Sequence, residues 1–256
     1  SLSPFIHNYW SKKNNNKFIY RKYEVQEKDI DKFFYNFRKD KQFVGFNITI
    51  PYKENFISFC DKVTNRAKKI GSVNLIYKKD KIILGDNTDV IGFSKIFYSL
   101  KNKNTKSVLL VGAGGAARAI LYFLNKKNIE NIDIFAKSKR REESLKKNFK
   151  FNRFLIKSSH LKKRYDLIIN ASSAGMTKKN KINRNILNLV KNARGVIDIV
   201  YNPIDTDLLR KAKKHDIKYS GGLKMLVEQA KPSYEIWSGN KIEIDTKIYQ
   251  MLINKI

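Results

Sequence analysis

One stretch of the chain dictates much of what can surround it. Val108-Leu109-Leu110-Val111 is an uninterrupted apolar run, and it passes directly into Gly112-Ala113-Gly114-Gly115-Ala116-Ala117. Apolar residues at consecutive positions suit a parallel strand buried on both faces. Ile120, Leu121, Phe123 and Leu124 then follow at helical spacing. Strand, glycine turn and helix in this order form the context in which G-x-G-x-x-G/A binds a dinucleotide. Small residues let the backbone approach a pyrophosphate, which rests on the helix N-terminus. Tight strand–helix packing alone would also use glycine, but the flanking elements favour the nucleotide reading.

Further apolar runs at 132–136, 167–169 and 196–200 alternate with helical patterns, which predicts a doubly wound α/β sheet. The earlier segment reads differently. Ser3-Pro4 opens a helix over 3–14. Residues 18–23 are rich in strand formers, and Ile30, Phe33, Phe34 and Phe37 recur at helical spacing. Residues 44–50 read as a strand ended by Pro51. Residues 73–77 and 82–84 flank a polar turn as a hairpin. The polar stretch 101–106 is the expected connection, giving two α/β domains, 1–100 and 101–222, with C-terminal helices over 223–256.

The chain carries 53 basic against 23 acidic residues in 256, formally +30. Phosphate neutralisation on nucleic acid uses such charge. However, 42 of the cations are Lys and only 11 Arg, spread along the chain beside abundant Asn and Ile. Lys, Asn and Ile share AT-rich codons, so biased coding accounts for the excess. Specific nucleic-acid binding is not expected, although the field would draw an anionic small molecule. One cysteine, Cys60, excludes an intrachain disulfide and a cysteine metal cluster. His7, His160 and His215 are far apart, so no metal site is expected. No stretch offers ~18 apolar residues for a membrane span and no signal pattern is seen, so a cytoplasmic protein is expected.

The tip of the strand after the glycine turn bears on the choice of dinucleotide. An acid there suits the ribose of NAD, and basic residues suit the extra phosphate of NADP. Asp133 is at roughly the right distance but lies inside the strand. The tip itself reads Ala136-Lys137-Ser138-Lys139-Arg140-Arg141, whose cations and hydroxyl favour NADP over a merely solvated helix start.

Seven strings, in order, now fit together. They are Ser1-Leu2-Ser3-Pro4, Gly45-Phe-Asn-Ile-Thr-Ile-Pro-Tyr-Lys-Glu54, Ser72-Val73-Asn74, Gly85-Asp-Asn-Thr-Asp-Val-Ile-Gly92, Asn170-Ala-Ser-Ser-Ala-Gly-Met176, Tyr201-Asn202-Pro203 and Gly222-Leu-Lys-Met-Leu-Val-Glu-Gln-Ala230. With the glycine turn they closely resemble the shikimate dehydrogenase family over nearly the whole chain. The resemblance implies NADPH-dependent reduction of 3-dehydroshikimate to shikimate, on the chorismate route to aromatic amino acids. It also implies a substrate domain, a Rossmann-type NADP domain and a cleft between them, in a monomer or homodimer. Lys53 and Asp89 match the catalytic pair. Ser1, Ser3, Thr49, Asn74, Tyr201 and Gln229 match substrate-binding positions. Gly112, Ala113, Gly114, Gly115, Ala116, Ala136, Lys137, Ser138, Arg140 and Arg141 match the dinucleotide site, with Ile199 and Gly222 close to the nicotinamide. Hydride transfer to a ketone builds negative charge on oxygen, so a positioned proton donor such as Lys53 answers a chemical need. Most of these residues also have ordinary uses: Ser3 as a helix cap, Asp89 as a turn residue, any one of 42 lysines as a surface charge.

Three departures stand out. The family's Asn-Arg-Thr at the strand tip is Ala136-Lys137-Ser138 here, and lysine lacks the planar fork that grips phosphate. Leu75 stands where threonine usually follows Asn74. The family's first strand, normally just before Ser1, has no counterpart, so a short N-terminal piece is expected to be missing from the sequence. The first two departures keep open an NAD-dependent quinate or shikimate dehydrogenase. The rival of another class, a basic nucleic-acid-binding protein, rests on charge alone.

Overall fold

The computed structural model describes residues 1–49, 52–101, 104–129 and 131–256. The chain separates into two compact units. One comprises Ser1–Thr88 with Ala230–Ile248, the other Asp89–Gln229 with Tyr249–Ile256.

In the first unit, α1 (Ser3–Lys13) and α2 (Ile30–Lys39) precede β1 (Gly45–Asn47), β2 (Lys62–Val63), α3 (Asn65–Ile70), β3 (Leu75–Lys79) and β4 (Ile82–Asp86). The strands form a sheet in the order β1-β3-β4-β2. The expected hairpin is β3–β4, paired antiparallel from Leu75↔Asp86 to Lys79↔Ile82. Its two-residue turn, Asp80-Lys81, has φ of 50° and 66°, the left-handed pair that matches strand twist. Phe34 and Phe37 of α2 bury against Ile48, Phe56, Val73, Ile76 and Ile83. His7 is a core ring, stacked 4.4 Å from Tyr20, and burial pushes its pKa down to about 3.

The reading of 18–23 as strand-forming is corrected: these residues join no sheet. The backbone of Tyr20 is satisfied locally, its N–H donating to Asn8 Oδ1 and its carbonyl accepting from Asn8 Nδ2. Of the strand expected over 44–50, Gly45–Asn47 is observed. Ile50 and Pro51 lie outside the described residues, as do Asn102 and Lys103 of the expected connection.

The second unit begins with α4 (Asp89–Ser99). It continues through β5 (Ser107–Val111), α5 (Gly115–Lys126), β6 (Asn131–Phe135), α6 (Glu142–Lys146), β7 (Arg153–Leu155), β8 (Leu167–Asn170) and α7 (Arg184–Leu189). Then come β9 (Gly195–Asp198), α8 (Asp207–Lys214), β10 (Lys218–Gly221) and α9 (Gly222–Ser238), the last crossing the boundary between units, and finally α10 (Lys247–Ile253). Six parallel strands lie in the order β10-β9-β8-β5-β6-β7. This is the doubly wound arrangement predicted. The order reverses between β5 and β8, and in such sheets ligands bind outside the carboxyl ends of strands at that switch point. The runs at 108–111 and 167–169 are buried throughout, which is why they read as continuously apolar. Leu109, Ile168 and Val196 pack under Ile186, Leu208 and Leu209 from the covering helices. Among the described residues no helix is long and apolar enough to cross a membrane.

Candidate active site

At the switch point of the second unit, Gly112 follows β5 with φ of +110°. A Cβ there would sit 2.9 Å from the carbonyl carbon and oxygen of Ala171, so both backbone conformation and packing ask for glycine. Gly114 is the N-cap of α5 in extended conformation, and a Cβ on it would meet nothing within 4 Å. The fold itself therefore places no demand for glycine at 114. A bare backbone at a helix N-terminus facing open space is the cradle that a pyrophosphate fits. Gly115, Ala116 and Ala117 form the first turn of α5, its N–H groups unobstructed by large side chains.

The tip of β6 borders this turn, since the Gly112 N–H donates to the Phe135 carbonyl at 2.8 Å. Ala136 is buried, and residues 137–141 are exposed. Ser138 caps a short helical turn, Lys139–Arg141, its hydroxyl accepting from the Arg140 N–H at 3.2 Å. Lys137 Nζ donates to Asn180 Oδ1 at 3.3 Å. Asn180 in turn donates to the Ser173 carbonyl and hydroxyl. Nothing in the sequence marked Asn180 as a partner, because it stands 43 residues from Lys137. The cationic and hydroxyl-bearing tip fits a phosphate ester.

Asp133 is excluded as a ribose acid. Its carboxylate is fully buried, accepting from Arg153 Nη2 at 2.6 Å and Tyr165 Oη at 2.7 Å, with Lys162 Nζ 3.7 Å away. Burial works against its ionisation, but Arg153, Tyr165 and Lys162 outweigh it and hold its pKa below the ordinary carboxylate value. It ties β6 to β7 and to the segment before β8.

Two other positions in this unit come together. A Cβ on Gly222 would lie 2.1 Å from the Ile199 carbonyl oxygen, and the Gly222 N–H bonds to the Val200 carbonyl at 3.3 Å. Ile199 and Gly222 thus share one surface at the carboxyl ends of β9 and β10, and half-buried Tyr201 follows two residues on. Asp89 opens α4 and is buried. Gly92, one turn later on the same face, packs against Gln229 of α9: a Cβ on it would lie 2.9 Å from Gln229 Cβ. Asp89 and Gln229 therefore lie at neighbouring helix–helix contacts.

In the first unit, Asn74 is buried between β1 and β4. Its Oδ1 accepts from the Thr88 N–H at 2.7 Å and its Nδ2 donates to Thr88 Oγ1 at 3.0 Å, fixing the residue immediately before Asp89. Lys53 is half-buried in a turn, its carbonyl accepting from the Val73 N–H at 2.8 Å. The same segment therefore carries Val73, bonded to Lys53, and Asn74, bonded to Thr88. Ser3 is the first residue of α1 and makes no side-chain cap. Instead, Ser1 Oγ accepts from the Ser3 N–H at 3.3 Å and donates to Ser3 Oγ at 3.1 Å, so the two hydroxyls lie side by side. Both, with exposed Thr49, line one end of a 730 Å³ cleft in this unit. The rest of its lining mixes aromatic side chains such as Tyr20, Phe33 and Phe43 with polar and charged ones such as Arg21, Lys22 and Asn47.

A doubly wound sheet with a phosphate cradle at its switch point, joined to a second α/β unit presenting clustered hydroxyls and amides, defines a dinucleotide-dependent oxidoreductase. Comparison with known proteins narrows the class. Residues 1–76 match the shikimate dehydrogenase substrate binding domain, and 94–215 match shikimate / quinate 5-dehydrogenase. The shikimate dehydrogenase (NADP(+)) of Pelagibacter ubique is 35% identical over 253 residues, covering 98% of this chain and 94% of that relative. The crystal structure of shikimate dehydrogenase from Aquifex aeolicus superposes with a TM-score of 0.85 at 31% identity, covering 95% of this chain and 90% of its own. That of Thermus thermophilus shikimate 5-dehydrogenase, in complex with NADP(H) and shikimate, superposes at 0.81 with 25% identity over 95% of this chain and 90% of its own. The chain belongs to the shikimate dehydrogenase family of NADP-dependent oxidoreductases.

Proposed function

We propose that this chain reduces 3-dehydroshikimate reversibly to shikimate with NADPH, a step in forming chorismate and the aromatic amino acids. The observation that carries the reading is Gly114, a glycine that the fold does not need and a pyrophosphate does. NADPH, when bound, supplies a hydride to the ketone carbon. The remaining work falls to the chain. The Lys53 ammonium gives a proton to the ketone oxygen as charge builds there, and takes it back in the reverse direction. The Asp89 carboxylate accepts a hydrogen bond from the neighbouring substrate hydroxyl. Ser1 and Ser3 donate their paired hydroxyls to the substrate carboxylate. Thr49, Asn74, Tyr201 and Gln229 hold the ring hydroxyls. Gly112, Ala113, Gly114, Gly115 and Ala116 receive the pyrophosphate. Ala136, Lys137, Ser138, Arg140 and Arg141 surround the adenosine phosphate. Ile199 and Gly222 flank the nicotinamide.

In this reading 1–100 and 223–256 serve the substrate and 101–222 the dinucleotide. The enzyme works in the cytoplasm, as its single cysteine suits, as a monomer or homodimer, on a small-molecule substrate and without specific nucleic-acid binding. A second reading, quinate or shikimate oxidation with NAD, is favoured by Lys137 in place of the family's arginine and by Leu75 beside Asn74. Initial rates with shikimate or quinate, each paired with NADP or NAD, separate the two. Shikimate with NADP is expected to be fastest; faster quinate oxidation with NAD would refute the first reading.

A further inference from the structure

The carboxyl edge of the six-stranded sheet contains a charge that neither binding nor proton transfer uses. Asp198 ends β9 opposite Asn170, which ends β8. Its carboxylate is 1% exposed, and its hydrogen-bond partners among the described residues are uncharged. Oδ1 accepts from Asn170 Nδ2 at 2.9 Å and from the Val200 N–H at 3.0 Å, and Oδ2 accepts from Thr206 Oγ1 at 2.7 Å. Burial raises its pKa to about 6. A buried carboxylate without a cation is costly to the fold, and an apolar residue of similar size would serve packing alone better.

What the carboxylate does is visible in where its bonds go. Asn170 organises the loop that follows β8: its Oδ1 accepts from the Ser172 N–H and hydroxyl, and its Nδ2 also donates to the Ala174 carbonyl. That loop is the wall against which Gly112 packs. Val200 belongs to the strip that touches Gly222. Thr206 caps α8, its hydroxyl accepting from the Leu209 N–H. Three segments are thus fastened to one carboxylate, one of them packed against Gly112 and another against Gly222.

Resting on the function proposed above, we propose that Asp198 is a positioning residue for the nicotinamide end of the dinucleotide, locking residues 171–174 and 199–201 into one surface beside Gly112 and Gly222. It touches no reacting atom and acts through Asn170 and the backbone at 199–200. The adenosine end, held by Lys137 and Ser138 at the tip of β6, is tied to Ser173 of this loop through the exposed Asn180, a longer and solvent-exposed path, so the nicotinamide end takes the larger effect.

The test compares wild type, Asp198→Asn and Asp198→Ala in two measurements. One is binding of adenosine 2′,5′-bisphosphate, which lacks the nicotinamide. The other is single-turnover reduction of 3-dehydroshikimate at saturating NADPH. A displacement of ~1 Å in a positioned group costs about 100-fold in rate, and that loss is expected for Asp198→Ala with bisphosphate affinity within about twofold of wild type. Asp198→Asn should recover most of the rate, because its oxygen still accepts from Asn170 and Val200 while its amide donates to Thr206. If Asp198→Ala does not fold, Asn170→Ala, which removes the bond to Asp198 together with those to Ser172 and Ala174, should give the same split. Equal losses in bisphosphate binding and turnover would reduce Asp198 to a structural residue and overturn the proposal, as would an unaltered rate. Either of these outcomes in the variants, with wild type binding NADPH and turning over, refutes only the role of Asp198. Wild-type enzyme that binds neither ligand refutes the function itself, and the proposal with it.

Discussion

Gly114→Ala separates what the fold needs from what the ligand needs. The added methyl meets no atom within 4 Å, and the backbone at φ −89° and ψ −171° suits any residue. Replacing glycine at a compatible site stabilises by about 0.4–1 kcal/mol through the unfolded chain. Losing glycine's modest advantage over alanine at an N-cap offsets part of that. Stability should therefore change by less than about 1 kcal/mol, a shift of about 2–4 °C in Tm for a chain this long. Binding should respond differently. The methyl occupies the space in which a pyrophosphate oxygen would meet the N-terminal N–H groups of α5. Loss of one charge-assisted hydrogen bond costs about 1.5–3 kcal/mol, or about 10- to 100-fold in Kd. Fluorescence titration with NADPH and thermal unfolding by circular dichroism measure the two effects separately. Gly112→Ala is the contrast: with φ of +110° and Ala171 at 2.9 Å, it should lose about 1–3 kcal/mol of stability. A Gly114→Ala protein that binds NADPH as wild type does would refute the cradle.

Three further outcomes follow from the same geometry. Lys137→Ala should raise KM for NADP while leaving that for NAD nearly unchanged; equal effects on both would remove the phosphate site from the strand tip. Asp133→Ala removes the partner of half-exposed Arg153 and of buried Tyr165, so urea unfolding should show a loss of about 1–3 kcal/mol with an unaltered NADP/NAD preference, whereas a changed preference would reinstate Asp133 as a cofactor residue. Asp198 has a folded pKa of about 6 against 3.8 for the ordinary group, so the folded protein binds its proton more tightly and stability falls as pH rises between these values. That shift corresponds to about 3 kcal/mol by pH 7, so Asp198→Asn should flatten the profile between pH 4 and 6 and raise stability above it; an unchanged profile would contradict a buried, cation-free carboxylate.

The doubly wound sheet was legible because its central strands are buried on both faces, and runs such as 108–111 announce that without knowledge of their neighbours. The glycine turn was legible because its small residues and its flanking strand and helix lie in one short stretch, although the backbone that crowds Gly112, at Ala171, stands 59 residues off. Strand formation at 18–23 was not, because a strand exists only through pairing, and at Tyr20 the backbone is taken by Asn8 from 12 residues away. The buried carboxylates divide the same way. Asp133 and Asp198 each interrupt an apolar run, a visible anomaly. Their partners stand as far off as Arg153, Tyr165 and Asn170, at separations of 20, 32 and 28 residues, which no local pattern encodes. That the hydroxyls of Ser1 and Ser3 bond to each other was not legible, and the ordinary alternative for Ser3, a helix cap, is not what the side chain does: its hydroxyl accepts from Ser1 and its N–H bonds to Ser1 Oγ.

The central claim is that Lys53 and Asp89 act as one acid–base unit on a ketone reduced by NADPH. Stopped-flow reduction of 3-dehydroshikimate by Lys53→Ala, Asp89→Asn and the double variant, each checked for folding and for NADPH affinity, tests it most directly. Removing a positioned proton donor costs about 10²- to 10⁴-fold in turnover, and residues acting as a unit lose less together than the product of their separate losses. The account predicts both results, with NADPH affinity unchanged. A folded Lys53→Ala enzyme with near-normal turnover, or strictly multiplicative losses in the double variant, would contradict it.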